Sequence, residues 1–125
     1  MPASVRVRSG FVLGVTGRPI ELLVDYDPRG RREIVLYGAS LQVSKETEVR
    51  VRAALVAVGE DVPGRVAVHP LEPVPRDAFA GLDLAVAVGV TRAMGGVRTD
   101  AVFLGELALD GSLRPVRGVL PVALA

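Results

Sequence analysis

The chain of 125 residues contains no cysteine and a single histidine, His69. The absence of cysteine excludes disulfides and thiolate metal sites, and one imidazole cannot build a histidine-rich metal centre within this chain. Half of the residues are hydrophobic, which is typical of a folded rather than a disordered chain. Length and composition together predict a single domain that spans residues 1–125.

A strong excess of charge is also missing, because 15 basic and 14 acidic residues leave a net charge of +1. This balance argues against a strongly electrostatic nucleic-acid binder. No apolar run reaches about 18 residues, so we expect no membrane contact through a spanning helix. The amino terminus lacks the basic segment and apolar core of a signal peptide, and the expected location is therefore the cytoplasm. Lys45 is the only lysine.

The clearest pattern in the chain lies in residues 103–121. Residues 103–110 alternate in hydrophobicity with a period of two, which is typical of a strand. Asp110-Gly111 follows between apolar runs and predicts a type I′ hairpin turn, since both central residues of that turn need positive φ. Leu113, Pro115 and Val116 form the predicted return strand. Because proline cannot donate to the ladder, this strand is expected either to lie at a sheet edge or to leave the sheet at Pro115.

Two helices are predicted. The first covers residues 40–59, with Ser40 as N-cap and Gly59 just after the end. The second covers residues 82–94, and its side chains, Leu84 included, are apolar nearly all round, as expected of a buried helix. Asp83 lies in the first turn of this second helix, where the helix dipole favours a carboxylate.

Side chains on the first helix are expected to form one apolar stripe and two ion pairs. Glutamate precedes arginine by four residues twice, which is the favourable order for helical ion pairs. The predicted pairs are Glu46 with Arg50 and Glu48 with Arg52. The predicted apolar stripe consists of Val43, Thr47, Val51, Ala54, Leu55 and Val58.

The remaining chain reads as strands and one loop. Residues 11–15, 20–26 and 33–37 are predicted strands, and their order along the chain favours an antiparallel meander. A further strand is predicted at residues 65–70, where we interpret His69 as a hydrogen-bonded structural residue. The proline-rich residues 72–80 are predicted to form a loop.

Three segments resemble the amino-terminal domain of magnesium-chelatase-like AAA+ proteins of the ComM/YifB family. They are SKETEVRVRAAL at residues 44–55, LDLAVAVGV at residues 82–90 and GELALDGSLRPVRGVLPVALA at residues 105–125. The resemblance implies the fold of the Lon proteolytic domain. That is an α/β (α+β) fold in which a mixed sheet packs against two main helices and a carboxyl-terminal β-hairpin is present.

The Lon fold also implies a site for a serine nucleophile and a lysine base. Residue counting within the resemblance places the serine position at Ala80 and the lysine position at Leu120. Residues 76–85 contain no serine and residues 116–125 contain no lysine. The resemblance therefore implies a non-proteolytic domain with no catalytic residue, and we expect that this chain alone is not an enzyme.

A residual serine hydrolase with a relocated site stays open as an alternative. Its candidate groups are Ser40 or Ser44 with Lys45. Ser44 and Lys45 are neighbours on the charged helix and point in different directions. Lys45 should be solvated and hence a poor base.

The chain has no Gly-x-x-x-x-Gly-Lys-Ser/Thr loop, so we expect no nucleotide, metal or other cofactor site in it. In the family that the chain resembles, an AAA+ module binds ATP and magnesium. That module is not present in this chain, and we expect it to be the partner of the chain, in cis or in trans. The resemblance further implies a hexamer in the full-length protein. Through the ComM members of the family, the resemblance also implies a helicase that drives branch migration of DNA during natural transformation.

Arg29, Arg31 and Arg32 form a small basic loop that could give weak DNA contact by counterion release. Arg6 and Arg8 are candidates to extend this loop. A solvated turn explains the same residues. The resemblance thus implies a domain that organises the ring, contacts DNA, or does both. The alternative is an interaction or assembly module of a chelatase-like or chaperone-like ATPase without a DNA role.

Overall fold

A computed structural model describes residues 3–13, 16–96, 101–110 and 112–114. The elements in chain order are β1 (Ala3–Leu13), β2 (Thr16–Asp27), β3 (Glu33–Leu36), α1 (Leu41–Ala57), β4 (Arg65–Pro70), a 3₁₀ helix (Arg76–Leu82), α2 (Asp83–Ala93), β5 (Glu106–Leu107) and β6 (Leu113–Arg114). The predicted α+β class is confirmed, with a mixed sheet, two helices and a hairpin. In the part of the chain that the structure describes, no helix is both long and apolar enough to cross a bilayer.

The four-stranded sheet has the order β1-β2-β4-β3. β1 and β2 are antiparallel, β2 and β4 are antiparallel, and β3 and β4 are parallel. The predicted meander is therefore wrong, because β4 lies between β2 and β3. The reason is topological: α1 carries the chain from β3 to β4, and a helical crossover joins parallel strands. Residues 11–13 of the strand predicted at residues 11–15 form the distal part of the longer β1, and residues 14 and 15 lie outside the described residues.

The core lies between the sheet and α2. Val86 and Val90 of α2 are fully buried, and so are Val7 and Val24 of the facing strands. At Gly89 the helix comes so close to the sheet that a Cβ would lie 2.6 Å from Val24 Cγ2. Glycine is therefore required there for this approach, and α2 rests directly on β1 and β2.

The ends of α1 agree with the sequence. Ser40 Oγ accepts a hydrogen bond of 3.2 Å from the Val43 N–H, and Gly59 has a φ of +80°. The predicted stripe is partly wrong, because Val58 is 73% exposed. The residues of α1 that are buried are Ser44, Thr47, Val51 and Leu55.

Helix α2 begins and ends close to its predicted bounds, but not every side chain is covered. Leu82, which immediately precedes α2, is fully buried, whereas Leu84 is only partly buried. Part of the predicted loop at residues 72–80 belongs to the 3₁₀ helix Arg76–Leu82.

The hairpin is shorter than predicted: β5 covers only Glu106–Leu107, and it pairs with Leu113–Arg114. The predicted type I′ turn is wrong, because no described non-glycine residue, Asp110 included, has a positive φ. The Ala108 N–H donates to the Ser112 carbonyl at 2.8 Å, so the loop between the strands holds residues 109–111 and is longer than a two-residue turn. Gly111, Pro115 and Val116 lie outside the described residues.

Candidate functional site

Two of the three family-like segments meet where α2 begins. The Gly105 N–H donates to the Gly81 carbonyl at 3.0 Å, and the Leu84 N–H donates to the Gly105 carbonyl at 3.0 Å. These main-chain hydrogen bonds fix β5 beside the start of α2. We call residues 80–84 and 105–107 the α2–β5 junction.

Ala80, the predicted position of the nucleophile, lies in this junction near the end of the 3₁₀ helix. Its side chain is a methyl group, which offers no nucleophile and no hydrogen bond. The second predicted position, Leu120, lies outside the described residues. The junction therefore contains the predicted position of the serine nucleophile, Ala80, and this position carries no nucleophilic side chain.

The polar group that the junction does contain is Asp83, whose side chain is fully buried. Its carboxylate accepts hydrogen bonds from Arg50 Nε at 2.6 Å and from Arg50 Nη2 at 3.2 Å. It also accepts the Leu107 N–H at 3.1 Å. One carboxylate thus links α1, α2 and β5.

This contact corrects the predicted pairing on α1. The pair Glu48–Arg52 is confirmed, with Arg52 Nε 3.2 Å from Glu48 Oε2. The pair of Glu46 with Arg50 is wrong, because the Arg50 guanidinium turns inward to Asp83. The sequence held a signal for this, since a carboxylate in the first turn of an otherwise apolar helix needs a buried partner.

Burial controls the electrostatics of the pair. Loss of solvation raises the pKa of Asp83 above its ordinary value, although the Arg50 guanidinium and the Leu107 N–H lower it in part. The hydrogen bond to Asp83 raises the pKa of Arg50, so that the guanidinium stays charged. Because Asp83 is engaged by three hydrogen bonds and has no solvent access, it fits a structural role rather than proton exchange with a substrate.

Ser44 and Lys45 lie in different surroundings. Ser44 is buried, and its Oγ accepts the Leu36 N–H at 2.9 Å, which satisfies the edge strand β3. Lys45 Nζ is exposed and lies 3.6 Å from Glu48 Oε1. The described contacts of these two residues therefore show a strand-capping hydroxyl and a surface ion pair rather than a serine–lysine dyad.

His69 belongs to a polar cluster on the outer face of the sheet. Its ring stacks on Tyr37 with centroids 4.5 Å apart, and His69 Nε2 lies 3.4 Å from Asp25 Oδ2. Ser4 Oγ donates to Asp25 Oδ1. Because Asp25 stands between the hydroxyl and the imidazole, His69 is not placed to take a proton from Ser4 as in a catalytic triad.

The described residues hold no group of three or more side chains that could ligate a metal ion. The sheet-face cluster is instead closed by internal contacts. Arg65 Nη2 donates to the Tyr37 hydroxyl at 2.9 Å, and Arg65 Nε donates to Glu33 Oε1 at 3.0 Å. These contacts support the structural interpretation of His69.

The predicted basic loop is exposed at Arg29, Arg31 and Arg32. Asp27 shapes the turn, because its Oδ1 accepts the Arg29 N–H at 3.0 Å. The structure thus brings the three arginines onto one surface turn. However, Arg32 Nη2 lies 3.2 Å from Asp61 Oδ1, which offsets part of the positive charge.

Arg6 and Arg8 do not join this loop. Arg6 pairs across the strands with Leu23, which lies about 13 Å along β2 from Asp27 at the usual rise per residue. Its Nη1 lies 3.3 Å from Glu21 Oε2. Arg8 lies opposite Glu21, further still from the turn.

Comparison with known proteins agrees with this geometry. The family model described as subunit ChlI of Mg-chelatase matches residues 24–125. A protein of Mycobacterium tuberculosis strain H37Rv is 34% identical over 125 residues, covering 96% of this chain and 25% of the relative. Competence protein ComM of Haemophilus influenzae is 33% identical over 101 residues, covering 77% of this chain and 20% of ComM. Lon protease of Syntrophomonas wolfei is 30% identical over 107 residues, covering 78% of this chain and 13% of the protease.

These matches and the α+β fold define a Lon-like domain of a magnesium-chelatase-like protein. The chain belongs to the family described as subunit ChlI of Mg-chelatase. The resemblance to ComM/YifB proteins is confirmed by the match to ComM. The chain spans at most a quarter of the length of the relatives it matches.

Proposed function

We propose that the chain is a non-proteolytic accessory domain of a ComM-like AAA+ ATPase in the cytoplasm. In that protein it would organise a hexameric ring, contact DNA during branch migration, or do both. The observation that carries the non-proteolytic part is the α2–β5 junction. There a methyl group, Ala80, and a buried ion pair, Arg50–Asp83, occupy the place where the resemblance puts hydrolytic chemistry.

The energy for such a machine would come from ATP and magnesium held by an AAA+ module in cis or in trans. The present chain lacks the phosphate-binding loop and its lysine. We therefore expect isothermal titration of the purified chain with Mg-ATP to show no heat of binding. A dissociation constant in the micromolar range would contradict the proposal that the AAA+ module, and not this chain, binds the nucleotide.

DNA contact is proposed for Arg29, Arg31 and Arg32, because all three are exposed on one turn. Three phosphate contacts predict weak binding with a log–log salt slope of roughly −2 to −3. Replacing the three arginines by glutamine should abolish binding at low salt, as measured by fluorescence anisotropy with a labelled oligonucleotide.

The control for this experiment is Arg76→Gln, which removes one exposed arginine from the 3₁₀ helix, outside the loop. It should leave the affinity nearly unchanged. Unchanged binding by the triple variant would mean that the loop is a solvated turn. Since Asp61 already pairs with Arg32, that result would favour the second candidate, an interaction or assembly module without a DNA role.

A further inference from the structure

The strand β3 lies at one edge of the four-stranded sheet, and β4 is the strand that pairs with it in the described part of the chain. Just after β3, the Tyr37 N–H donates to the Val68 carbonyl of β4 at 2.9 Å. Successive main-chain groups of a strand point to opposite sides, so the N–H groups of Ile34 and Leu36 point away from β4. Outward groups of this kind form a template on which another strand can pair.

Both outward N–H groups are held by side chains of α1. The Ile34 N–H donates to Glu48 Oε2 at 2.8 Å, and the Leu36 N–H donates to Ser44 Oγ at 2.9 Å. Ser44 is buried, and the side chain of Glu48 is only 13% exposed. The two donors of the β3 edge therefore have protein partners that do not belong to a strand.

The spacing of the two oxygens matches the spacing of the two donors. Ser44 and Glu48 are one helical turn apart, which is about 6 Å along the helix axis. Ile34 and Leu36 are two residues apart, which is about 6.6 Å along an extended strand. The side-chain oxygens of α1 thus stand where the carbonyl oxygens of a neighbouring strand would stand.

The carboxylate of Glu48 is oriented by cations of its own helix. Arg52 Nε lies 3.2 Å from Glu48 Oε2, and Lys45 Nζ lies 3.6 Å from Glu48 Oε1. Arg52 is itself fixed, because its Nη1 donates to the Val62 carbonyl at 3.0 Å. These contacts hold the acceptor against β3.

The residues of β3 explain why an open edge would be a liability. Residues 33–37 read EIVLY and contain three branched aliphatic side chains, one aromatic ring, one charge and no proline. Segments with high β-propensity and low net charge pair readily with copies of themselves. In an antiparallel pair centred on Val35, Glu33 of one copy lies opposite Tyr37 of the other, so no like charges oppose each other.

We propose that Ser44 and Glu48 close the β3 edge against strand addition by a second copy of this chain. With these oxygens removed, β3 pairs with β3 of the second copy, and Ile34 of one chain lies opposite Leu36 of the other. Mere satisfaction of two N–H groups would predict lost stability and no association. The inference goes beyond the accessory-domain proposal and does not depend on it.

Because the chain contains no cysteine, Val35→Cys can report the pairing. In the expected pair the two Val35 positions face each other with Cα atoms about 4.5 Å apart, which a disulfide can bridge. The opened chain also carries Ser44→Ala and Glu48→Met. The matched control carries Gln42→Ala and Glu46→Met, since these residues bond to each other on the exposed face of α1. Disulfide dimers formed under mild oxidation are counted by intact-mass spectrometry.

Paired thiols reach effective concentrations in the millimolar range, so at roughly 0.1 mM chain the opened variant should form the dimer about tenfold faster than the control. Leu71→Cys in the same opened background should show no such gain, because Leu71 is exposed but lies outside β3. Glu48→Gln keeps a side-chain carbonyl oxygen and should crosslink through Val35→Cys as slowly as the control.

Circular dichroism shows whether the opened variant is folded. If it is unfolded, Ser44→Ala alone decides: the Leu36 amide should lose protection from hydrogen exchange while the Ile34 amide keeps it, and Val35→Cys should crosslink faster than in a Gln42→Ala chain. Equal crosslinking rates for the folded opened variant, or for Ser44→Ala, and the matching control would overturn the proposal. Equally fast crosslinking of Val35→Cys without any change in α1 would also overturn it, because the edge would then be open in the natural chain.

Discussion

Arg50→Met is expected to lower the free energy of unfolding by about 3–5 kcal/mol, because removing one partner leaves a buried carboxylate without compensation. Asp83 is fully buried and Arg50 is only 17% exposed, so water cannot replace the lost guanidinium. Methionine retains an unbranched apolar stem that can occupy part of the space. Urea unfolding followed by circular dichroism measures the loss.

A double-mutant cycle with Asp83→Asn separates the pair from its surroundings. Asparagine is neutral and can still accept the Leu107 N–H, so Arg50→Met should cost less in the Asp83→Asn background. We expect a coupling free energy of about 1–3 kcal/mol. The control is Arg6→Met, which breaks the exposed pair with Glu21 and should cost less than about 1 kcal/mol. Equal losses for Arg50→Met and Arg6→Met would contradict the structural role of the buried pair.

The same variant should show a pH dependence of known sign. Burial raises the pKa of Asp83 in the folded protein above its value in the unfolded chain. The protonated carboxyl therefore contributes to the free energy of unfolding at pH values below the unfolded-state pKa, and this contribution is lost as pH rises through the folded-state pKa. Removing Arg50 raises that pKa further, since the guanidinium lowers it. Arg50→Met should therefore be more damaging at neutral pH than in acid, where Asp83 is protonated in both proteins.

The second large effect is expected from Leu82→Ala, which should cost about 2–5 kcal/mol through lost transfer free energy and the cavity left behind. Leu82 is fully buried at the entry to α2, where the 3₁₀ helix ends. Neighbouring main-chain hydrogen bonds hold Gly81 and Leu84 against Gly105. This limits how far the site can collapse around the missing atoms.

Leu84→Ala is the matched control, because the same atoms are removed two residues further along. Leu84 is only partly buried, so its loss should be clearly smaller than that of Leu82→Ala. Both are measured by urea unfolding under one set of conditions. A larger loss of unfolding free energy for Leu84→Ala than for Leu82→Ala would contradict the structure, because it would mean that the face of α2 with Leu84 packs against the core.

Local patterns predicted both helices and the presence of the hairpin, but not the length of its strands or the type of its turn. Ser40 and Gly59 mark the ends of α1 through short-range chemistry that any nearby fold permits. The exposure of Val58 was not predicted, because hydrophobic periodicity indicates which face of a helix is apolar but not how much of that face the rest of the protein covers. The sequence also did not predict the groove lined by residues 45–50 of α1 and residues 106–109 of the hairpin, because this groove depends on how the hairpin lies against α1.

Long-range pairing was the main source of error. The position of β4 between β2 and β3 depends on contacts between distant segments, which no local pattern contains. Arg50 has one attractive partner four residues away, Glu46, and another 33 residues away, Asp83. The distant partner wins because a fully buried carboxylate needs compensation, whereas an exposed one is satisfied by water.

The central proposal is that this Lon-like domain is non-proteolytic. Labelling the purified chain with a serine-directed fluorophosphonate, read by intact-mass spectrometry, tests it most directly. We predict an unmodified chain, because Ala80 supplies no hydroxyl and the Ser44 hydroxyl is buried against Leu36. A stoichiometric adduct on any serine would contradict this proposal and favour the alternative hypothesis, a residual serine hydrolase.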